Sequence, residues 1–101
     1  MLQFGLSSKT IADIQEIFAK HESIETAVIY GSRAKGTFKI GSDIDLTLRG
    51  NLQLTELLKI ENELDDLLLP YKIDLSIENQ IANMDLLEHI NRVGQLFYTK
   101  K

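Results

Sequence analysis

The sequence predicts a small α/β (α+β) domain, a short sheet with helices packed on its apolar face. Two kinds of apolar spacing predict it. Runs at helical spacing alternate along the chain with β-branched runs and with stretches of strict two-residue alternation. Length is the third observation: 101 residues suffice for one core without disulfide or metal staples, so one domain is expected over 1–101.

Ser7 or Ser8 can cap a first helix whose face carries Ile11, Ile14, Ile17 and Phe18, ending near Lys20 or His21. "TAVIY", Thr26 to Tyr30, is β-branched and aromatic and stops at Gly31, which reads as a buried strand. "DIDLTLR", Asp43 to Arg49, alternates: Ile44, Leu46 and Leu48 point inward, and Asp43, Asp45, Thr47 and Arg49 point outward. From Leu52 to Leu69 the pattern predicts a helix with Leu54, Leu57, Leu58, Leu64 and Leu68 on its core side, ended by Pro70. Ile60, Leu67 and Leu69 are then surplus apolar residues, candidates for a partner interface. "KIDLSI", Lys72 to Ile77, alternates again, with Ile73, Leu75 and Ile77 inward. A last helix over about Ala82 to Asn91 carries Met84, Leu87 and Ile90, and "LFY" beyond Gly94 predicts a short terminal strand.

Composition narrows the function. The net charge is −4 and the pI about 5.1, whereas a domain that holds nucleic acid unaided is usually basic. No direct nucleic-acid binding is expected; a small anion in a local positive pocket or a basic protein partner fits better. With no cysteine there is neither disulfide nor thiolate metal site, which fits a reducing, cytoplasmic setting. The N-terminus has no basic-then-apolar signal pattern, and no apolar run approaches a membrane span.

The chemistry concentrates in "YGSRAKGTFKIGSDIDL", Tyr30 to Leu46. Residues two apart on a strand share a side, about 7 Å apart, so Asp43 and Asp45 form a same-side acidic pair. Asp74 repeats their phase and joins them if its strand pairs beside theirs. Three carboxylates repel one another unless a cation sits between them. All-oxygen donors point to hard ions, Mg²⁺ or Mn²⁺, and a pair of such ions is the usual clamp for phosphoryl and nucleotidyl transfer. Gly31 ends a buried strand and Ser32 opens a turn whose N–H groups, hydroxyl and nearby Arg33 and Lys35 suit phosphate.

Gly-Ser, ten intervening residues and Asp-x-Asp resemble the signature of the nucleotidyltransferase superfamily that shares the DNA polymerase β-type palm. The short chain and the run "GSRAKG…SDIDL" are most similar to the minimal nucleotidyltransferases, or MNT proteins. The motif spans 15 residues, Gly31 to Asp45, and the order of elements extends the likeness over most of the chain. The resemblance implies a small mixed sheet with a palm-like fold, phosphate binding at Gly31 and Ser32, and two Mg²⁺ held by Asp43 and Asp45. It implies a third carboxylate on a later strand, a place only Asp74 has the context to fill. It further implies transfer of AMP from ATP and an antitoxin's place beside an all-helical HEPN RNase toxin, in a hetero-oligomer, with a toxin tyrosine as acceptor. Larger relatives carry a second domain for the acceptor. None is visible here, so the acceptor is expected from another chain. A binding-only antitoxin or scaffold, and a transferase acting on a small molecule, stay open as alternatives.

His21 and His89 read as structural, since neither has a companion at metal-ligand spacing. Arg49 and Lys72 lie on the acids' side, where they can neutralise them or reach phosphate.

Overall fold

The computed structural model of the protein describes residues 2–101. A four-stranded sheet is its centre, in the order β5-β4-β3-β6. Strand β3 is Ile24–Tyr30, β4 Ile44–Gly50, β5 Ile73–Ile77 and β6 Gln95–Thr99. Helices α1 (Ser8–Ala19), α2 (Gly31–Lys35), α3 (Leu54–Asp65) and α4 (Met84–Val93) join them. A two-stranded hairpin, β1 (Leu2–Gln3) with β2 (Leu6–Ser7), precedes α1.

Strands β3 and β4 pair antiparallel, as do β3 and β6, whereas β4 and β5 run parallel. A parallel neighbour cannot be reached by a tight turn, so the chain crosses over through α3. That crossover sets the register Ile44↔Ile73, Asp45↔Asp74, Leu46↔Leu75 and Thr47↔Ser76. It places the acidic residues of two strands side by side.

Ile44, Leu46 and Leu48 are fully buried, with Ala27 and Ile29 of β3 beside them, in one cluster that α1 covers through Ile14, Ile17 and Phe18. Ser7 caps α1, its hydroxyl accepting the Thr10 N–H at 3.1 Å. The alternate residues of β3, Val28 and Tyr30, form a second, smaller cluster with Ile90 of α4. Helices α1 and α3 thus pack on one face of the sheet, and α4 packs on Val28 and Tyr30. Thr47, expected to face outward, is fully buried on this second face, in register between Val28 and Ser76. Its Oγ1 accepts the Ser76 hydroxyl at 2.9 Å.

Helix α3 corrects the sequence reading. It ends at Asp65, not Leu69, and its buried residues are Ile60 and Leu64. Leu54 and Leu58 are 59% and 53% exposed and Leu68 is 87% exposed, so three residues assigned to the core face water. Leu67 and Leu69, read as surplus, pack against the core together with Leu57. The stripe that counts is Leu57, Ile60 and Leu64, at helical spacing. Beyond Asp66 the chain leaves the helix, and Leu68 adopts a left-handed φ of 54° that turns its neighbours inward. Among the described residues, no helix is long and apolar enough to cross a membrane.

Candidate active site

Five residues at one end of the sheet converge: Tyr30 and Gly31 where β3 passes into α2, Asp45 on β4, Asp74 on β5, and His89 on α4. Tyr30 is the register partner of Asp45, and Asp45 that of Asp74. Neighbouring strands lie about 4.8 Å apart, which puts the two aspartates side by side on adjacent strands. Asp43 directly precedes β4, exposed, as Asp74 is, while Asp45 is half-buried.

Gly31 is where the turn meets the acid. Its φ of 73° is left-handed. A Cβ placed there would run into Asp45 Oδ2. Only glycine combines that backbone conformation with that close approach. Helix α2 then makes little more than one turn and stops at Gly36, whose φ of 82° is again left-handed. Ser32 is half-buried and its carbonyl accepts from Gly36 N and Thr37 N, which closes the short helix.

Burial, first, and then repulsion from Asp74 and Asp43 raise the pKa of the Asp45 carboxyl above its ordinary value. The positive charge of Arg33, and of His89 when protonated, works the other way. The Tyr30 phenol is also pushed up, chiefly by burial, with the negative charge of Asp74 and Asp45 adding to it. Among the described residues no three His, Cys, Asp or Glu side chains are drawn together tightly enough to grip a metal ion as they stand. The donor set nevertheless fits Mg²⁺ in kind: carboxylate oxygens only, on adjacent strands, with a mutual repulsion that a cation would relieve.

Arg33, offered to phosphate by the sequence reading, is occupied elsewhere. It is one of the few buried charged residues. Its Nε and Nη2 donate to Ser42 O at 3.1 and 2.9 Å, and Nη1 donates to Phe4 O at 2.9 Å. The guanidinium lies 5.3 Å from the Phe38 ring centre and 4.7 Å from that of Tyr71. It therefore ties the loop to the N-terminal hairpin at Ser42, the residue that delivers Asp43. Lys35, by contrast, is exposed on α2. Arg49 pairs with Glu78 at 2.9 Å, which takes it away from the acids. Lys72 supplies its carbonyl to the Ile44 N–H at 2.8 Å, linking the starts of β5 and β4.

His89, read from the sequence as structural, is brought to this corner by the fold. Its Nε2 accepts the Gly31 N–H at 3.2 Å, and its ring meets Tyr30 edge-on, 6.1 Å between centroids at 82°. No local pattern signals it, because the contact spans 58 positions.

A mixed sheet with a Gly-Ser turn closing onto a strand-borne carboxylate, and a second carboxylate in register beside it, has the fold of the polymerase β-type nucleotidyltransferases. The family model described as "Polymerase beta, Nucleotidyltransferase" matches residues 12–101, and the chain belongs to that family. Among solved structures it is similar in fold to a chain of a toxin–antitoxin complex with AMP-PNP. That likeness has a TM-score of 0.71 at 18% identity, over 95% of this chain and 76% of that one. It is similar also to a chain of the MntA–HepT toxin–antitoxin, with a TM-score of 0.69 at 14% identity, over 93% and 74% of the two chains. A third is a chain of the complex between a tri-AMPylated Shewanella oneidensis HEPN toxin and its MNT antitoxin, TM-score 0.68 at 14% identity, over 94% and 74%. No curated protein matches the sequence.

Proposed function

We propose that the chain is a Mg²⁺-dependent nucleotidyltransferase that moves AMP from ATP onto a hydroxyl of a partner protein. The acceptor is a tyrosine of a HEPN-type helical toxin, and the chain is that toxin's antitoxin. The observation that carries the reading is the closure of Gly31 onto Asp45 with Asp74 in register beside it. It brings a glycine-serine turn and a pair of mutually repelling acids to one place. The family model supports the reaction class, and the toxin–antitoxin neighbours support the partner.

In the transfer, the acceptor oxygen attacks the α-phosphorus and the bond from that phosphorus to the β-bridging oxygen breaks. AMP is then esterified to the acceptor and pyrophosphate departs. Asp43, Asp45 and Asp74 would hold the Mg²⁺, which when bound neutralises phosphate charge and polarises the reacting phosphoryl group. Asp74, exposed at the site's edge, takes the proton released by the acceptor hydroxyl. The turn at Gly31 and Ser32 receives the triphosphate, and Lys35 is the cation of α2 left to offset it. Arg33 serves by fixing the loop that carries Asp43.

A second reading is an antitoxin that neutralises by binding alone, favoured by carboxylates that are not drawn into a ligand set. Labelling decides between them. The chain, Mg²⁺ and ATP labelled on the α-phosphate are added to lysate of cells that encode it. Transfer predicts label on one protein band, absent with γ-labelled ATP and absent with Asp43→Asn. Capture of a partner with no label on any band supports binding alone.

A further inference from the structure

We propose that His89 is a positioning residue for the Gly31 corner, and through it for Asp45; the proposal rests on the nucleotidyl-transfer reading above. Because a backbone N–H can only donate, Nε2 must present its lone pair to Gly31, and the ring proton sits on Nδ1. The same ring braces Tyr30 edge-on. Tyr30 and Gly31 both neighbour Asp45: one is its register partner, and the other lies against its Oδ2. One imidazole therefore touches both of these neighbours of Asp45.

The platform is firm enough for this. Ile90, next to His89, is buried on Val28 and Tyr30. Asn83 caps α4 by accepting the N–H groups of Asp85 and Leu86 at 2.9 and 3.2 Å. The corner itself needs holding, since glycine adopts left-handed and right-handed backbone almost equally and nothing intrinsic selects φ +73° at Gly31. Helix α4 thus reaches the reaction through a single hydrogen bond, without a side chain that needs to touch substrate.

The test compares wild type with His89→Phe, which keeps the edge-on ring and loses the acceptor, and His89→Gln, whose amide oxygen can replace Nε2. His89→Asn, too short to reach, is a second loss variant should the Phe ring disturb the fold. Amide hydrogen exchange at Gly31 is followed by NMR without metal or nucleotide, and kcat and KM for ATP are followed by label transfer to the captured acceptor. Loss of one hydrogen bond predicts exchange at Gly31 faster by roughly two- to tenfold in the Phe and Asn variants. The prediction for kcat is a fall by a similar factor, with KM unchanged within about twofold and both quantities restored by Gln. Unchanged exchange at Gly31, or a Gln variant as impaired as Phe, overturns the proposal. So does a shift confined to KM, which would place the imidazole on the nucleotide itself. If wild type transfers no label although Gly31 exchange responds to His89, the transfer reading falls and takes the catalytic consequence with it.

Discussion

Two clusters in this protein combine a histidine with carboxylates, and they are built in opposite ways. Where α1 ends against α3, buried His21 sets Nε2 at 2.7 Å from Glu63 Oε1 and Nδ1 at 3.3 Å from Glu56 Oε2. Each carboxylate there has a ring nitrogen. At the end of the sheet Asp43, Asp45 and Asp74 face one another, and His89 gives its nitrogen to a backbone N–H instead. The first cluster joins the end of α1 to α3. In the second, burial first and then repulsion between like charges raise the Asp45 pKa, and a cation would relieve that repulsion. Carboxylates that each meet a ring nitrogen mark architecture, and carboxylates left to repel one another mark a site.

The largest expected effect strikes the second cluster alone. Gly31→Ala forces a Cβ into Asp45 Oδ2 at a left-handed φ. It should lower label transfer by at least about a hundredfold and cost roughly 1–3 kcal/mol in urea unfolding. A Gly31→Ala protein of full activity would break the comparison at its centre. Next, His21→Leu leaves two carboxylates without their ring nitrogens. It should cost about 1–3 kcal/mol of stability while Kd for ATP stays unchanged. A changed Kd would mean the two clusters are not separate.

The smallest effect concerns pH. The folded-state pKa of Asp45 lies above its unfolded value, so through the window just above the ordinary carboxylate range the folded protein binds more protons. Stability therefore falls as pH rises through that window, and the penalty is complete at neutral pH. Asp45→Asn removes the charge. It should melt slightly higher than wild type at pH 7, the gap closing as acid protonates the wild-type carboxyl. The gain is modest because solvent screens a half-buried group. Paired melting curves across pH would show it.

Much of this was legible in the sequence. Period-two alternation put Asp45 and Asp74 in one phase, and the Gly-Ser spacing marked the turn, because both are local patterns. Their side-by-side register was only conditional, since it depends on α3 returning β5 parallel to β4. The α3 stripe was misread because leucines on more than one side of the helix were counted together, although Leu57, Ile60 and Leu64 form its buried face and Leu54 and Leu58 lie off it. Only Leu68 was misplaced by its own left-handed φ after the helix ends. Arg33 looked like a phosphate ligand until the carbonyls of Phe4 and Ser42 claimed it. The N-terminal hairpin has strands of two residues each, too short for any alternation to register.

The central claim is that the sheet-end carboxylates lack, among the described residues, the side-chain partners that both carboxylates of the His21 cluster have. Melting temperatures with and without Mg²⁺ and a non-hydrolysable ATP analogue, for wild type, Asp45→Asn and His21→Leu, test it most directly. The account predicts the same ligand-induced rise in wild type and His21→Leu, from a lower baseline in the latter, and none in Asp45→Asn. A rise that survives Asp45→Asn, or no rise in wild type, would contradict it.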